Sequence, residues 1–198
     1  PPATRSAVPA TGAAWLTCEP EDSDLARFLP YLVAALRQVN PRIGGGVLAT
    51  FIAAKPPTPQ TLATLLINDL AQIPGRFLLV LDDFHTISSQ PIHDFLAYLI
   101  EHQSPGICLV LVTREDPPLP LARLRARGQM EEIRQDGLAF TLQESADFLS
   151  RMGVALTPDQ LAALESRTEG WAAGLQLAAL SMRTAPERLM PSSMARIE

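Results

Sequence analysis

The chain has 198 residues and a mass of 21.5 kDa, room for one α/β domain with an appendage and too little for a multidomain machine. Hydrophobic residues make up 47% and charged residues 19%, a balance that supports a packed core and excludes a disordered chain. Sixteen basic against 21 acidic residues leave a net charge of -5, which argues against the basic footprint that nucleic-acid binding demands of a domain.

Residues 1–12 form a proline-containing lead without an apolar stretch, so no signal peptide is expected. Residues 13–17 read as a short strand, followed by an acidic turn. Across residues 25–39 the apolar positions Leu25, Phe28, Leu29, Leu32, Val33 and Leu36 recur at helical spacing, and Asn40-Pro41 ends the helix. Residues 42–59, with three adjacent glycines and paired prolines, read as a loop with a short helical turn. A second amphipathic helix follows over residues 61–73, stopped by Pro74-Gly75.

Phe77-Leu78-Leu79-Val80-Leu81 is apolar at every position, the pattern of a strand buried on both faces at a sheet centre. It ends in Asp82-Asp83. A helix is predicted over 91–102 and a second apolar strand over 107–112, ending in Thr113-Arg114. After the proline cluster at 117–120 come a short helix over 121–127 and an edge strand over 131–134.

From residue 141 the character changes. Thr141-Leu142-Gln143-Glu144 has capping-box spacing, and Thr157-Pro158-Asp159-Gln160 offers a second helix start with Pro at the first helical position. Two or three helices are expected from 141 to about 183, with a linker or tail over 184–198. The alternation of strands and helices predicts an α/β fold with a mainly parallel sheet. An α/β core over 13–137 and a helical lid over 138–183 are therefore expected.

The chemistry concentrates at the two apolar strands. In an open α/β sheet, ligands bind beyond the carboxyl ends of the strands, where a carboxylate is placed to hold hydrated Mg²⁺. Asp82 is the candidate magnesium ligand, and Asp83 the residue that orients a water. A parallel neighbour brings Thr113 and Arg114 to the same edge, where a guanidinium fork pairs with phosphate. Against this stand a plain turn at the two aspartates and pairing of Arg114 with Glu115 or Asp116.

Other features read more simply. His85, His93 and His102 lack metal-site spacing and are assigned structural roles. Arg123, Arg125 and Arg127 alternate by two, so a helix spreads them around its surface for solvent or intradomain pairing. Trp171 with Leu175, Leu177 and Leu180 reads as a seam packing the helical appendage on the sheet domain. Cys18 and Cys108 suit free thiols in a reducing cytosol. The apolar runs fall short of the roughly 20 residues of a membrane span, so a cytoplasmic protein without a membrane partner is expected.

Three strings together resemble one family. They are Ala14-Trp15-Leu16-Thr17 with Asp24-x-x-Arg27-Phe28-Leu29, then Leu79-Val80-Leu81-Asp82-Asp83-Phe84-His85, then the run from Thr113-Arg114-Glu115-Asp116-Pro117-Pro118 to Arg127-Gly128. With Thr168-Glu169-Gly170-Trp171-Ala172-Ala173-Gly174-Leu175 they cover most of residues 13–183. The chain is similar to the signal-transduction ATPase module of MalT-like, large LuxR-type transcription regulators. The resemblance implies a P-loop, AAA-related fold that binds ATP and Mg²⁺, slow hydrolysis that resets the switch, and self-association in the full-length protein. It also implies DNA binding through a C-terminal domain not contained here. By the same resemblance Asp82 is the Walker B acid and Arg114 a sensor near the terminal phosphate.

One departure is sharp. A phosphate loop needs Gly-x-x-x-x-Gly-Lys-Ser/Thr, because backbone amides cradle the phosphates and the lysine reaches the β and γ oxygens. Lys55 is the sole lysine, it precedes Pro56-Pro57, and Gly44-Gly45-Gly46 lacks a following Lys-Ser/Thr. The family places that loop and its strand ahead of Ala14-Trp15-Leu16. A fragment, a degenerate scaffold and a partner chain that supplies the strand all account for the gap, and each predicts weak ATP binding by this chain alone. Loss of that strand also leaves an open sheet edge that a second chain can fill.

Overall fold

The computed structural model describes residues 12–51, 57–102 and 105–184. Lys55, the lead over 1–11 and the tail from 185 lie outside the described residues. The chain divides between Arg127 and Gly128 into two compact units, each taken by itself.

The first unit is an α/β layer. Strand β1 (Gly12–Thr17) leads into α1 (Leu25–Leu36), α2 (Gly45–Phe51) and α3 (Pro59–Leu70). Strand β2 (Phe77–Asp82) is followed by α4 (Gln90–His102), β3 (Ile107–Leu111) and α5 (Leu121–Ala126). The strands pair in parallel in the order β1-β2-β3. The wholly apolar strand therefore takes the centre, as its composition predicts.

The helices start where local chemistry provides a cap. Asp24 accepts the Ala26 amide at 2.9 Å, and Phe28, Leu29, Leu32, Val33 and Leu36 then bury one stripe of α1. Thr58 caps α3, accepting the Thr61 amide. These stripes pack with those of α3 and α4 against Ala14, Phe77, Leu79, Leu81 and Ile107 in one continuous core. The opposite side of the sheet carries Ala13, Leu78 and Cys108 in one cross-strand row and Trp15, Val80 and Val110 in the next. There Trp15 is 56% exposed, and Cys108 and Val112 are also exposed.

The glycine-rich loop has a packing explanation. Gly44 has φ +78°, and a Cβ there would sit 2.4 Å from a methyl of Val33. Its amide donates to Asp69 at 2.7 Å, which fixes the start of α2 against α1 and α3.

The second unit is helical: α6 (Gln135–Leu138), α7 (Leu142–Arg151), α8 (Pro158–Thr168) and α9 (Ala172–Thr184). Both predicted capping boxes form. Glu144 accepts the Thr141 amide at 2.8 Å while the Thr141 hydroxyl accepts the Glu144 amide, and Thr157 and Gln160 repeat the exchange. Leu149, Leu175 and Ala179 form a small core bordered by Phe140, Phe148 and Leu161.

One expectation needs correction. Residues 131–134 are exposed and form no strand; a single apolar residue, Ile133, among charged neighbours offers no buried face to a sheet. Within the helical unit Leu175 is buried in the unit's own core, because α9 turns Leu175 and Ala179 inward and sets Leu177 and Leu180 on its opposite side.

The α8–α9 turn is tight. Glu169 and Gly170 both have positive φ, at 50° and 71°, and the Phe140 amide donates to the Gly170 carbonyl at 2.8 Å. A Cβ on Gly170 would lie 2.4 Å from the Phe140 carbonyl oxygen. Gly170→Ala is therefore expected to lower unfolding free energy by roughly 2–4 kcal/mol, measured by denaturant titration, with the loss of helical signal as readout. Hydrogen bonds from Thr141 hold the Glu144 carboxyl below its usual range. Its capping contribution is complete above the ordinary carboxylate pKa and disappears as pH falls through the lowered value. Glu144→Gln is expected to lose less helical signal than the parent between about pH 5 and pH 3, a comparison circular dichroism makes directly.

Candidate nucleotide-binding edge

Parallel register sets the site. Leu81 pairs with Leu16 on one side and Leu111 on the other, so Thr17-Cys18, Asp82-Asp83 and Val112-Thr113-Arg114 leave the sheet at the same end. The ladder continues past the strands. The Cys18 amide donates to the Asp82 carbonyl at 2.8 Å, Val112 to Leu81 at 2.9 Å, and Phe84 to Val112 at 3.0 Å. The expected juxtaposition of Asp82 with Thr113 and Arg114 at one sheet edge thus holds at the level of backbone register.

Asp82 accepts the Asp83 amide at 3.0 Å and is half-buried. Asp83 sits in the left-handed region, φ 51° and ψ 34°, a conformation that costs a non-glycine residue of order 1 kcal/mol and that concentrates at functional sites. The turn holding it is braced. The Thr86 hydroxyl and amide both donate to the Asp83 carbonyl, at 2.9 and 3.0 Å. Phe84 is buried beside His93, edge to face at 5.9 Å, and His93 Nε2 donates to the Ile87 carbonyl at 3.0 Å. The structural role expected of His93 is this bracing. His85 Nδ1 faces an Asp83 carboxylate oxygen at 3.8 Å, and His102 caps a carbonyl of its own helix.

The third strand end is more open. The Thr113 hydroxyl donates to the Glu115 carbonyl at 2.8 Å, and Arg114 is exposed without an ion pair among the described residues. Asp116, one partner considered for Arg114, instead meets Arg125 at 3.3 Å, and Arg123 meets Glu101 at 2.9 Å. The alternating arginines of α5 therefore make intradomain pairs, as their spacing around a helix suggests.

Sequence reasoning missed the neighbouring cluster after β1. Asp22 is 4% exposed; it accepts Arg27 Nε at 2.8 Å through one oxygen and the Glu19 amide at 2.9 Å through the other. Arg27 also meets Glu19 at 3.5 Å and lies over the Tyr31 ring. Ser23 ties this turn to the acidic one: its hydroxyl donates to the Thr86 carbonyl at 3.1 Å and accepts the Ser88 amide at 3.0 Å. An arginine spaced five residues from an acid at a helix start was the available signal, but burial of Asp22 arises only from the fold.

Two adjacent carboxylates at a strand tip, a threonine and an unpaired arginine suit a hydrated cation and a phosphate. Among the described residues no run of backbone amides forms a phosphate cradle, since the one glycine-rich loop is used in packing against Val33.

The fold and this edge define a P-loop-like α/β module with an incomplete parallel sheet and a helical unit after it. No family model matches the chain. It is 35% identical over 177 residues to the HTH-type transcriptional regulator MalT of Cronobacter sakazakii, 87% of this chain and 19% of that protein. Identity to MalT of Yersinia enterocolitica is 34% over 173 residues and to MalT of Klebsiella pneumoniae 34% over 170 residues, each covering 85% of this chain and 19% of the relative. The chain is a MalT-like module, and it spans about a fifth of the length of these curated relatives. No helix among the described residues is long and apolar enough to cross a membrane.

The thiols offer a check on this edge. Burial, and then the carboxylates of Asp22, Asp82 and Asp83, push the Cys18 thiol up to about 12, so it stays protonated and unreactive at neutral pH. Cys108 is exposed. A disulfide-exchange reagent at pH 8 is expected to titrate one thiol rapidly in the native chain and the second only on unfolding, with Cys108→Ser abolishing the fast phase. Asp22→Ala removes the buried acceptor of the Arg27 and Glu19 donors and is expected to cost roughly 1–3 kcal/mol of stability, read from chemical denaturation.

Proposed function

We propose that this chain is the nucleotide-switch part of a MalT-like, LuxR-type transcription regulator, with impaired ATP binding on its own. The observation that carries the reading is the acidic tip, Asp82 and strained Asp83, at the carboxyl end of the central parallel strand. In this role Asp82 holds Mg²⁺, Asp83 orients a water, and Thr113 and Arg114 contact phosphate. ATP and Mg²⁺ are the proposed ligands, and a resetting hydrolysis, self-association and remote DNA binding are proposed for the longer regulator. Residues 138–183 are the proposed lid.

Sheet topology supports the incompleteness. A parallel sheet normally buries both faces, yet Trp15, Cys108 and Val112 are exposed on the face away from the core helices. Parallel crossovers are right-handed. The run β1, β2, β3 advances across the sheet with its crossover helices in one core, so a helix for the other face must enter by a crossover in the reverse direction. A strand-helix unit ahead of β1 would meet that requirement, with its helix over Trp15 and Val112 and its strand on the outer edge of β3. The turn between them is where a phosphate loop belongs.

A scaffold that has lost nucleotide binding is the second reading, favoured by the lack of a Gly-x-x-x-x-Gly-Lys-Ser/Thr string. Calorimetric titration of the 198-residue chain with Mg-ATP is expected to give a dissociation constant weaker than about 100 µM; tight, magnesium-dependent binding overturns the impairment. The genomic sequence upstream of Pro1 separates the two readings. An in-frame Gly-Lys-Thr or Gly-Lys-Ser loop there supports the switch, and a coding sequence without one supports the scaffold.

A further inference from the structure

The turns that follow β1 and β2 are joined through one hydroxyl. Ser23 donates to the Thr86 carbonyl at 3.1 Å and accepts the Ser88 amide at 3.0 Å, partners 63 and 65 positions further along the chain. Thr86 in turn donates twice to the Asp83 carbonyl, at 2.9 and 3.0 Å, so the left-handed aspartate lies two hydrogen-bonded steps from Ser23. The strands add a second tie, from the Cys18 amide to the Asp82 carbonyl at 2.8 Å. Hydrogen bonds weaken steeply when misaligned, whereas packed apolar surfaces slide. Turns held in this way move together.

The same loop is fastened to the surface on its other side. Asp22 is 4% exposed and uses both carboxylate oxygens, one for Arg27 Nε at 2.8 Å and one for the Glu19 amide at 2.9 Å. The Arg27 guanidinium lies 5.6 Å from the centroid of the Tyr31 ring, and both residues are exposed. They border a hollow of about 160 Å³ whose other walls are Leu16, Thr17, Glu19 and Asp22. A continuous path therefore runs from Asp83 through Thr86 and Ser23, along the backbone to Asp22, and out to Arg27.

We propose that this path is a relay: Ser23 is a positioning residue for the acidic tip, and occupancy of the tip by a divalent cation is transmitted to the surface hollow at Arg27 and Tyr31. The inference rests on the reading of Asp82 as the acid that holds the cation. A cation at Asp82 constrains the Asp83 turn, the Thr86 carbonyl follows that turn, and Ser23 follows the carbonyl. Coupling is reciprocal, so a group that engages Arg27 and Tyr31 changes cation affinity by the same factor. The buried Asp22 carboxylate is the stiff joint of the relay, because losing either of its donors leaves a buried acceptor unsatisfied.

Titration of the isotope-labelled 198-residue chain with Mg²⁺ alone, followed by NMR, tests this, with the Asp83 amide reporting the tip and the Arg27 Nε–H group reporting the surface. In the parent both resonances are expected to shift with one midpoint, and Asp82→Asn is expected to abolish both shifts. Ser23→Ala is expected to keep the Asp83 shift, with its midpoint raised about fivefold, and to remove the Arg27 shift. Ser23→Thr keeps the hydroxyl and is expected to restore the Arg27 response. An Arg27 resonance that stays fixed in the parent while Asp83 titrates overturns the relay and leaves the cation assignment standing. An Arg27 shift that survives Ser23→Ala also overturns it, and one that survives Asp82→Asn places the cation at Glu19 and Asp22 instead. No shift of either resonance in the parent overturns the cation assignment, and the relay falls with it.

Discussion

The parallel register of β2 with both neighbours is the constraint on which the rest depends. Phe77, Leu79 and Leu81 face the helices while Leu78 and Val80 face the other side, so this strand is stable only between two others and under a packed layer. The same register that satisfies its backbone delivers Asp82, Thr17 and Val112 to one end. Packing therefore places the carboxylates; no interaction among the acidic residues draws them there.

The acidic tip is stiffened by groups that lie away from it. Phe84 and His93 anchor the turn below Asp83, and Ser23 couples it to the loop after β1, which Asp22 and Arg27 lock in turn. A left-handed aspartate is maintained because its carbonyl accepts two donors from Thr86. Such pre-set geometry suits a site that must hold a cation with little reorganisation.

Exposed apolar surface is distributed unequally between the two units. In the first it is a sheet face, the kind that a helix covers. In the second it is spread over several elements, at Ile133, Leu138, Leu142, Trp171, Leu177 and Leu180.

Periodicity, capping pairs and strand-end acids were legible in the amino-acid order, because they depend on residues within one turn or one strand of each other. Thus the helices from Leu25, Leu142 and Pro158, the central strand and the Asp82-Asp83 tip follow from local patterns. The strand expected over 131–134 failed because those residues have no neighbouring strand to pair with. Burial of Asp22, the left-handed turn at Asp83 and the packing use of Gly44 are decisions of tertiary structure, since each rests on contacts with residues distant in the chain. The sequence by itself determined an acidic, lysine-poor α/β module without a phosphate-loop string; only the fold decided which faces it leaves open, because exposure is a property of what packs nearby and not of composition.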